Sequence, residues 1–288
     1  MKLDEIYRIA QQRPSQSSGT GTSYWSAAAS CGRQVRLKEE ALALEASGIK
    51  VFEEHTPEPG KLDNFKVGAY YHLLQEFGAN DNIVWDAQEE AFNPEFKEAL
   101  RLMRAYQSRY GSARQRWRMT DYRVEVQIPE TEKGAALVLD LFGQPFTGRL
   151  DGLGYMDAAA VREVGAREKL PLPGPGLYIL DHKSAKAQSA NDIWEYECGL
   201  QACAYILMWN LEHPETPVQG MIFDQITKAK VPLFRSYFVN NLTPDPDRIR
   251  NLVRIGKHNL DNNICNPMGC KTMWKPCYWF KTGKCQGF

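Results

Sequence analysis

The sequence carries no surplus of either charge: 35 lysines and arginines face 35 aspartates and glutamates, for a formal net charge of zero. That balance counts against a broad, non-specific coating of nucleic acid, so any contact with a polyanion has to come from charge concentrated locally. No apolar run approaches the length needed to span a bilayer. Met1-Lys2-Leu3-Asp4-Glu5-Ile6 lacks the apolar stretch of a secretory signal. A soluble cytoplasmic protein without a membrane partner is expected. The chain has no Gly-x-x-x-x-Gly-Lys-Ser/Thr stretch, hence no visible nucleotide-driven motor, and any unwinding would fall to a partner. Nor is there an internal repeat or a clear linker.

An apolar content of 43% supports a sizeable core. One α/β domain over 1–288 is the expected organisation. Within it, a mobile start (1–23) precedes a helical region (24–120), a central core (121–240), and a last helix with a cysteine tail (241–288). Helices are predicted over Ser23–Ser47, Phe65–Phe77, Glu95–Tyr110, Trp194–Glu212 and Asp245–Asn259. Strands are predicted over Tyr122–Pro129, Ala135–Leu141, Thr147–Tyr155, Leu177–Asp181 and Val218–Ile226. Pro171-Leu172-Pro173-Gly174-Pro175-Gly176 reads as a loop.

The chemistry concentrates on two of those strands. Leu177-Tyr178-Ile179-Leu180 runs into Asp181-His182-Lys183, and Phe146-Thr147-Gly148-Arg149-Leu150 runs into Asp151. Residues two apart on a strand share a face, so Asp181 and Lys183 project side by side, and a neighbouring strand could add Asp151. Two carboxylates make a hard oxygen site for Mg²⁺ or Mn²⁺. A lysine beside them can orient water or stabilise the charge on an attacked phosphate. An exposed acid–base pair on a strand is ordinary when it stands alone. Here a helix follows in which Gln201 and Tyr205, four apart, share one face.

Asp151, Asp181-x-Lys183 and Gln201-x-x-x-Tyr205, in that order, resemble the PD-(D/E)XK nuclease superfamily, and its RecB-like branch in particular. The resemblance implies a restriction-endonuclease-like core, a mixed central sheet flanked by helices. It implies that Asp151 and Asp181 bind the metal, with the His182 backbone carbonyl beside them, that Lys183 is catalytic, and that Gln201 and Tyr205 support the site. Gly68-Ala69-Tyr70-Tyr71-His72 looks like that branch's first motif, which adds His72 to the metal ligands. By itself a lone helical histidine is more often a surface or core residue.

Between Arg101 and Arg118 the chain carries six arginines and no acid, with Tyr106, Tyr110 and Trp117 interleaved. Guanidinium groups pair with phosphates and aromatic faces stack on unpaired bases. Arg109, Arg114, Arg116 and Arg118 are therefore expected to contact DNA, against the alternative of a solvated basic helix face. Glu125 is a weaker acidic candidate outside the main set.

Of seven cysteines, Cys198 and Cys203 lie in an apolar helical segment and read as core residues. Cys31 stands near the front, while Cys265, Cys270, Cys277 and Cys285 crowd the tail. Metal binding fits an intracellular chain better than a disulfide framework does. Zn²⁺ stays open through the Cys265-x₄-Cys270 pair, and a [4Fe–4S] cluster is the other possibility. The arrangement resembles the iron–sulfur nucleases of the RecB-like branch, including AddAB-type nuclease domains and CRISPR-associated RecB-like exonucleases. That resemblance implies a structural [4Fe–4S] cluster held by Cys31, Cys270, Cys277 and Cys285, joining the front helices to the tail. The basic, aromatic tail could pack on DNA or cover the cluster.

The expected function is thus a Mg/Mn-dependent deoxyribonuclease, an exonuclease acting on single strands or ends, with a helicase or recombinase as a possible partner. A non-catalytic nucleic-acid-binding or assembly subunit is the alternative. A zinc-stabilised structural protein would explain the tail but not the acids.

Overall fold

The computed structural model describes residues 2–12, 25, 27–29, 32–48, 62–79, 83, 91–185, 196, 200–242, 244–264, 271–272 and 275–276. The chain falls into two compact units. One comprises Met1–Gln16, Pro57–Glu130 and Arg149–Pro244, the other Ser17–Thr56, Thr131–Gly148 and Asp245–Phe288.

The first unit is built on a five-stranded mixed sheet flanked by helices. Strands β1 (Thr120–Ile128), β2 (Gly148–Met156), β3 (Gly176–Ala185), β4 (Val218–Thr227) and β5 (Phe234–Asn240) lie side by side in sequence order. β2 runs antiparallel to β3, β3 parallel to β4, and β4 antiparallel to β5. A parallel pair requires a crossover longer than a hairpin, and the β3–β4 connection contains helix α8 (Leu200–Glu212). β4 is covered on both faces, which is why its residues are buried almost without interruption. At its start Gly220 has φ +152°, and a Cβ there would stand 2.2 Å from the Val239 carbonyl oxygen. Only glycine lets β5 approach so closely.

Among the described residues, four helices precede the sheet in this unit: α1 (Leu3–Gln12), α3 (Asn64–Gly78), α4 (Pro94–Tyr110) and α5 (Ala113–Trp117). Local chemistry sets their ends. The Asp63 carboxylate accepts from the Phe65 N–H at 2.9 Å, and Asn93 accepts from the Phe96 N–H at 2.8 Å with Pro94 following it. Gly111 closes α4 at φ +75°, and Ser112 and Gln115 form a reciprocal capping box on α5. Leu3, Ile6, Leu74, Phe96 and Leu100 pack α1, α3 and α4 into one core. Trp117, Val164, Tyr178, Leu180, Ile222 and Phe238 form another, packing α5 and α7 (Ala158–Glu168) on one sheet face.

In the second unit α2 (Gly32–Ala46) and α6 (Glu132–Phe142) both pack on α9 (Pro246–Asp261). The Arg250 guanidinium donates to the Leu141 carbonyl at 2.7 Å. Two-residue strands β6 (Lys271–Thr272) and β7 (Lys275–Pro276) pair antiparallel.

The strand predicted at Ala135–Leu141 is in fact α6. Seven mostly apolar residues fit either state, but the flanks decide: the Thr131 hydroxyl accepts from the Gly134 N–H at 3.0 Å, and Gly143 closes the helix at φ +71°. The helix α7 and the edge strand β5 were not anticipated. α7 is an alanine-rich start behind an Asp157 cap, and β5 lacks clean alternation because Arg235 and Ser236 adjoin. β3 continues to Ala185, so Asp181 and Lys183 sit inside a strand. No helix among the described residues is long and apolar enough to cross a membrane.

Candidate active site

The β2–β3 ladder ends at Gly152↔Leu180. One step further, Asp151 would stand opposite Asp181, and there the two strands part. The Asp151 side chain takes over the strand's role by accepting the His182 backbone N–H at 2.8 Å. Helix α3 brings His72 to the same carboxylate, with Nδ1 3.2 Å from Asp151 Oδ2. Gly68 keeps α3 close to β3, where a Cβ would stand 3.2 Å from Ser184 Oγ.

Asp181 and Lys183 share the face that α8 covers. Lys183 Nζ lies 2.7 Å from Asp181 Oδ2. Gln201 bridges the pair, its amide donating to Asp181 Oδ1 at 2.7 Å and its carbonyl oxygen accepting from Lys183 Nζ at 3.0 Å. Tyr205, one turn on, is buried and hydrogen-bonded to the Arg149 backbone, two residues before Asp151. The structure thus gathers His72, Asp151, Asp181, Lys183, Gln201 and Tyr205 in one place. The side chain of Asp181 is sealed at 3% exposure, whereas those of Lys183 at 29% and His72 at 33% keep the cluster open to a ligand.

The charges balance internally. Burial pushes the Asp151 carboxyl up, but His72, His182 and Lys183 outweigh it and hold Asp151 well below the usual carboxylate range. Burial pushes Asp181 up as well; Lys183 opposes this, Asp151 reinforces it, and the net direction is upward. Burial lowers Lys183, yet Asp181 and Asp151 together raise it. Lys183 is therefore an ammonium at neutral pH, suited to stabilising anionic charge and unsuited to accepting a proton.

Two carboxylates are the donor chemistry of a hard divalent cation, whereas an imidazole is a borderline donor better matched to transition metals. Asp181 Oδ2 is buried and takes no hydrogen bond of proper angle, although Lys183 Nζ is close. Among the described residues no three His, Cys, Asp or Glu side chains are drawn into a ready-made metal cage. Mg²⁺ does not require one, because it keeps several waters and binds through one or two carboxylates. The residues present fit such an ion.

Other expectations need correction. Arg116 cannot contact DNA: its side chain is fully buried, paired with Asp224 on β4 and, at 2.8 Å, with Glu168 at the end of α7. Trp117 is buried, and Tyr106 is buried with its hydroxyl donating to Asp224 at 2.6 Å, so neither presents a face to a base. Arg118 is half-exposed and paired with Glu163. Arg109 and Arg114 are exposed. The His182 imidazole points to the opposite sheet face, 3.4 Å from Asp224, leaving only its backbone at the site. Glu125 pairs with Arg149 at 2.8 Å. Cys203 is buried, while Cys31, Cys198, Cys265, Cys270, Cys277 and Cys285 lie outside the described residues.

Sequence reasoning missed Tyr196, Phe223 and Gln225, which extend the site's face across β4. Tyr196 stacks on Phe223 at 4.2 Å, and its hydroxyl accepts from the Gln225 amide at 3.0 Å. The signal was Gln225 beside Asp224 in a central strand, since buried polar side chains there need partners.

The chain matches no protein-family model and no curated protein. Among solved structures it is similar to SSO0001, at 14% identity over 99% of this chain and 96% of that one, with a TM-score of 0.46. It is also similar to a protein from Eubacterium rectale named "putative exonuclease", at 13% identity over 83% of each chain, with a TM-score of 0.45. Likenesses this distant carry no functional argument, and the reading of the site rests on its own geometry.

Proposed function

We propose that this protein is a metal-dependent nuclease that hydrolyses phosphodiester bonds in DNA, working from ends or on single strands. The observation that carries the reading is the convergence on one sheet face of Asp151, which accepts the His182 N–H, and the mutually bonded Asp181, Lys183 and Gln201. Asp151 and Asp181, with His72 and the His182 carbonyl, would hold Mg²⁺ or Mn²⁺. Such an ion supplies Lewis acidity toward a phosphoryl oxygen and lowers the pKa of water. Lys183 offers a fixed positive charge where a pentavalent phosphate accumulates negative charge. Gln201 holds Lys183 and Asp181 in register, and Tyr205 ties α8 to the strand bearing Asp151. End-labelled single- and double-stranded DNA incubated with Mg²⁺, Mn²⁺ or EDTA tests the proposal. Metal-dependent release of short products is expected, and intact substrate under every condition overturns it in favour of a binding or assembly subunit.

Gln201→Ala should lower cleavage about 10–100-fold, the usual cost of losing a group that orients a metal ligand. Gln201→Glu should recover little, because it places a third carboxylate beside Asp181. Single-turnover rates across a metal titration measure both.

The proposal includes a structural [4Fe–4S] cluster on Cys31, Cys270, Cys277 and Cys285. What supports it is the chain ahead of Cys31 and ahead of the cysteine tail. The Asn259 amide on α9 donates to the Ala28 and Ala29 carbonyls at 3.1 and 2.9 Å, and the Ile264 N–H donates back to the Asn259 carbonyl at 2.8 Å. The segment that leads to Cys31 and the end of the helix that leads to the cysteine tail are thereby joined by hydrogen bonds. Anaerobically purified protein should be brown and contain iron and acid-labile sulfide. Cys277→Ala should lose the colour and unfold more readily, because metal–thiolate bonds contribute folding free energy directly. Colourless protein with stoichiometric zinc would establish the zinc alternative instead.

A further inference from the structure

Where α4, α5 and α7 meet β5, the first unit holds a cleft of about 1000 Å³ whose lining includes Arg109, Tyr110, Lys169, Phe234 and Arg235. Five of its lining side chains are cationic and one, Glu168, is acidic. Glu168 is already engaged, at 2.8 Å by Arg116 and 2.9 Å by Arg167. Among the described residues, Arg109, Lys169 and Arg235 have no carboxylate partner, and all three are exposed. Three cations gathered without counter-charge repel one another, and a concave wall concentrates their field. Such an arrangement is stabilised by a bound polyanion.

The aromatic side chains narrow the class of ligand. The Arg109 guanidinium stands 5.3 Å from the ring centroids of both Tyr110 and Phe234, and Arg235 stands 5.2 Å from that of Tyr237. Alternating guanidinium groups and ring faces match alternating phosphates and unpaired bases. The cleft wraps the edge strand β5: Phe234, Ser236 and Phe238 face the side on which α4, α5 and α7 pack, whereas Arg235 and Tyr237 share the sheet face of the candidate active site. Lys183 is in register with Gln225, and Gln225 with Arg235; Asp181 is in register with Phe223, and Phe223 with Tyr237. All six share one face, and two strand spacings separate β3 from β5 by roughly 10 Å. Tyr196, stacked on Phe223 and 5.1 Å from the Tyr237 ring, covers the interval, where Phe223 and Tyr237 themselves are buried.

We infer that this cleft binds an unpaired polynucleotide strand that passes round the β5 edge from the candidate active site, an inference that takes its ligand class from the nuclease reading. Phosphates engage Arg109, Lys169 and Arg235, and bases lie against Tyr110 and Phe234. A duplex is excluded because its paired bases offer no free faces to the rings.

Fluorescence anisotropy with the full chain in EDTA, where hydrolysis is stopped, tests binding apart from cleavage. The probes are a labelled oligo-dT of roughly 15 nucleotides, a duplex of equal length, and labelled thymidine monophosphate. The single strand should bind tightest. Arg109→Gln/Arg235→Gln should weaken it at least tenfold and reduce the slope of log K against log salt by about 1.4, close to 0.7 for each lost phosphate contact on a single strand. Arg162→Gln, removing an exposed charge of α7 outside the cleft, should cost far less. Tighter binding of the duplex, equal binding of the mononucleotide, an unaltered double variant, or an equal loss in Arg162→Gln would each overturn the inference. A protein that binds the strand through these residues yet never cleaves it would sink the nuclease reading alone. One that cleaves while the double variant binds normally would sink the cleft alone.

Discussion

Asp181→Asn should fold like the unaltered protein and lose metal-dependent cleavage by about 10³-fold or more, the scale of removing one charge-stabilising group from a preorganised site. Asparagine keeps the shape of the side chain and an oxygen for the Gln201 amide, which now lies 2.7 Å from Asp181 Oδ1. What disappears is a carboxylate that burial and the neighbouring Asp151 both penalise. Its loss therefore relieves repulsion while Lys183 keeps its hydrogen bond to Gln201 and its attraction to Asp151. Loss of the 2.7 Å ion pair between Lys183 and Asp181 opposes that relief, and the denaturation midpoint should move little. Asp151→Asn and Lys183→Met should share the catalytic defect. Parallel measurement of product release and urea midpoint separates chemistry from folding, and cleavage within tenfold of normal in the folded Asp181→Asn protein would remove Asp181 from the site.

Arg116→Met should destabilise the first unit by about 3–5 kcal/mol, the cost of leaving a buried charge without its partner. The Arg116 side chain is wholly buried and Asp224, its partner, is 1% exposed. It also reaches Glu168 and donates to Ser236 Oγ at 2.9 Å, so one guanidinium joins α5, α7, β4 and β5. Its loss leaves Asp224 with only neutral donors, Tyr106 and Trp117 at 2.6 and 3.3 Å, and His182. Arg116→Met/Asp224→Leu should recover part of the loss, because removing both charges avoids the unpaired carboxylate. The same network predicts acid sensitivity. Burial raises the Asp224 carboxyl, but Arg116 and His182 bring it down to about 2. A carboxyl depressed in the folded state contributes stability above its unfolded value near 4, and that contribution fades as pH falls toward 2. Urea midpoints between pH 5 and pH 2 should fall in the unaltered protein and fall less in the double variant. An Arg116→Met protein as stable as its parent would show that the ion pair contributes nothing.

The site was legible in the sequence to the extent that its parts are local. Period-two alternation places Asp181 beside Lys183, and a four-residue spacing places Gln201 one turn before Tyr205; both follow from chain geometry. The apolar run before Asp181, short and preceded by Pro175-Gly176, marks a strand. Ala135–Leu141 was misread because an apolar heptad satisfies two periods, and only its caps, Thr131 and Gly143, distinguish them. The arginine run was misread for a deeper reason. Nothing in Arg114-Gln115-Arg116 indicates which arginine is buried, because the partners that make burial tolerable, Glu168 and Asp224, lie 52 and 108 residues further on.

By itself, then, the sequence determined the strands and helices that carry the acids, the lysine and the glutamine, and the caps that end most helices, since these depend on neighbours within a turn or a pleat. Only the tertiary structure decided that the β2–β3 ladder ends at the acids so that Asp151 accepts the His182 N–H. It likewise decided that α3 brings His72 to Asp151 and that β5 sets Arg235 in register with Lys183. Each of those outcomes depends on which distant segment arrives alongside. The cost of burying a charge is settled by that segment's side chains and not by the residue's own neighbours in sequence.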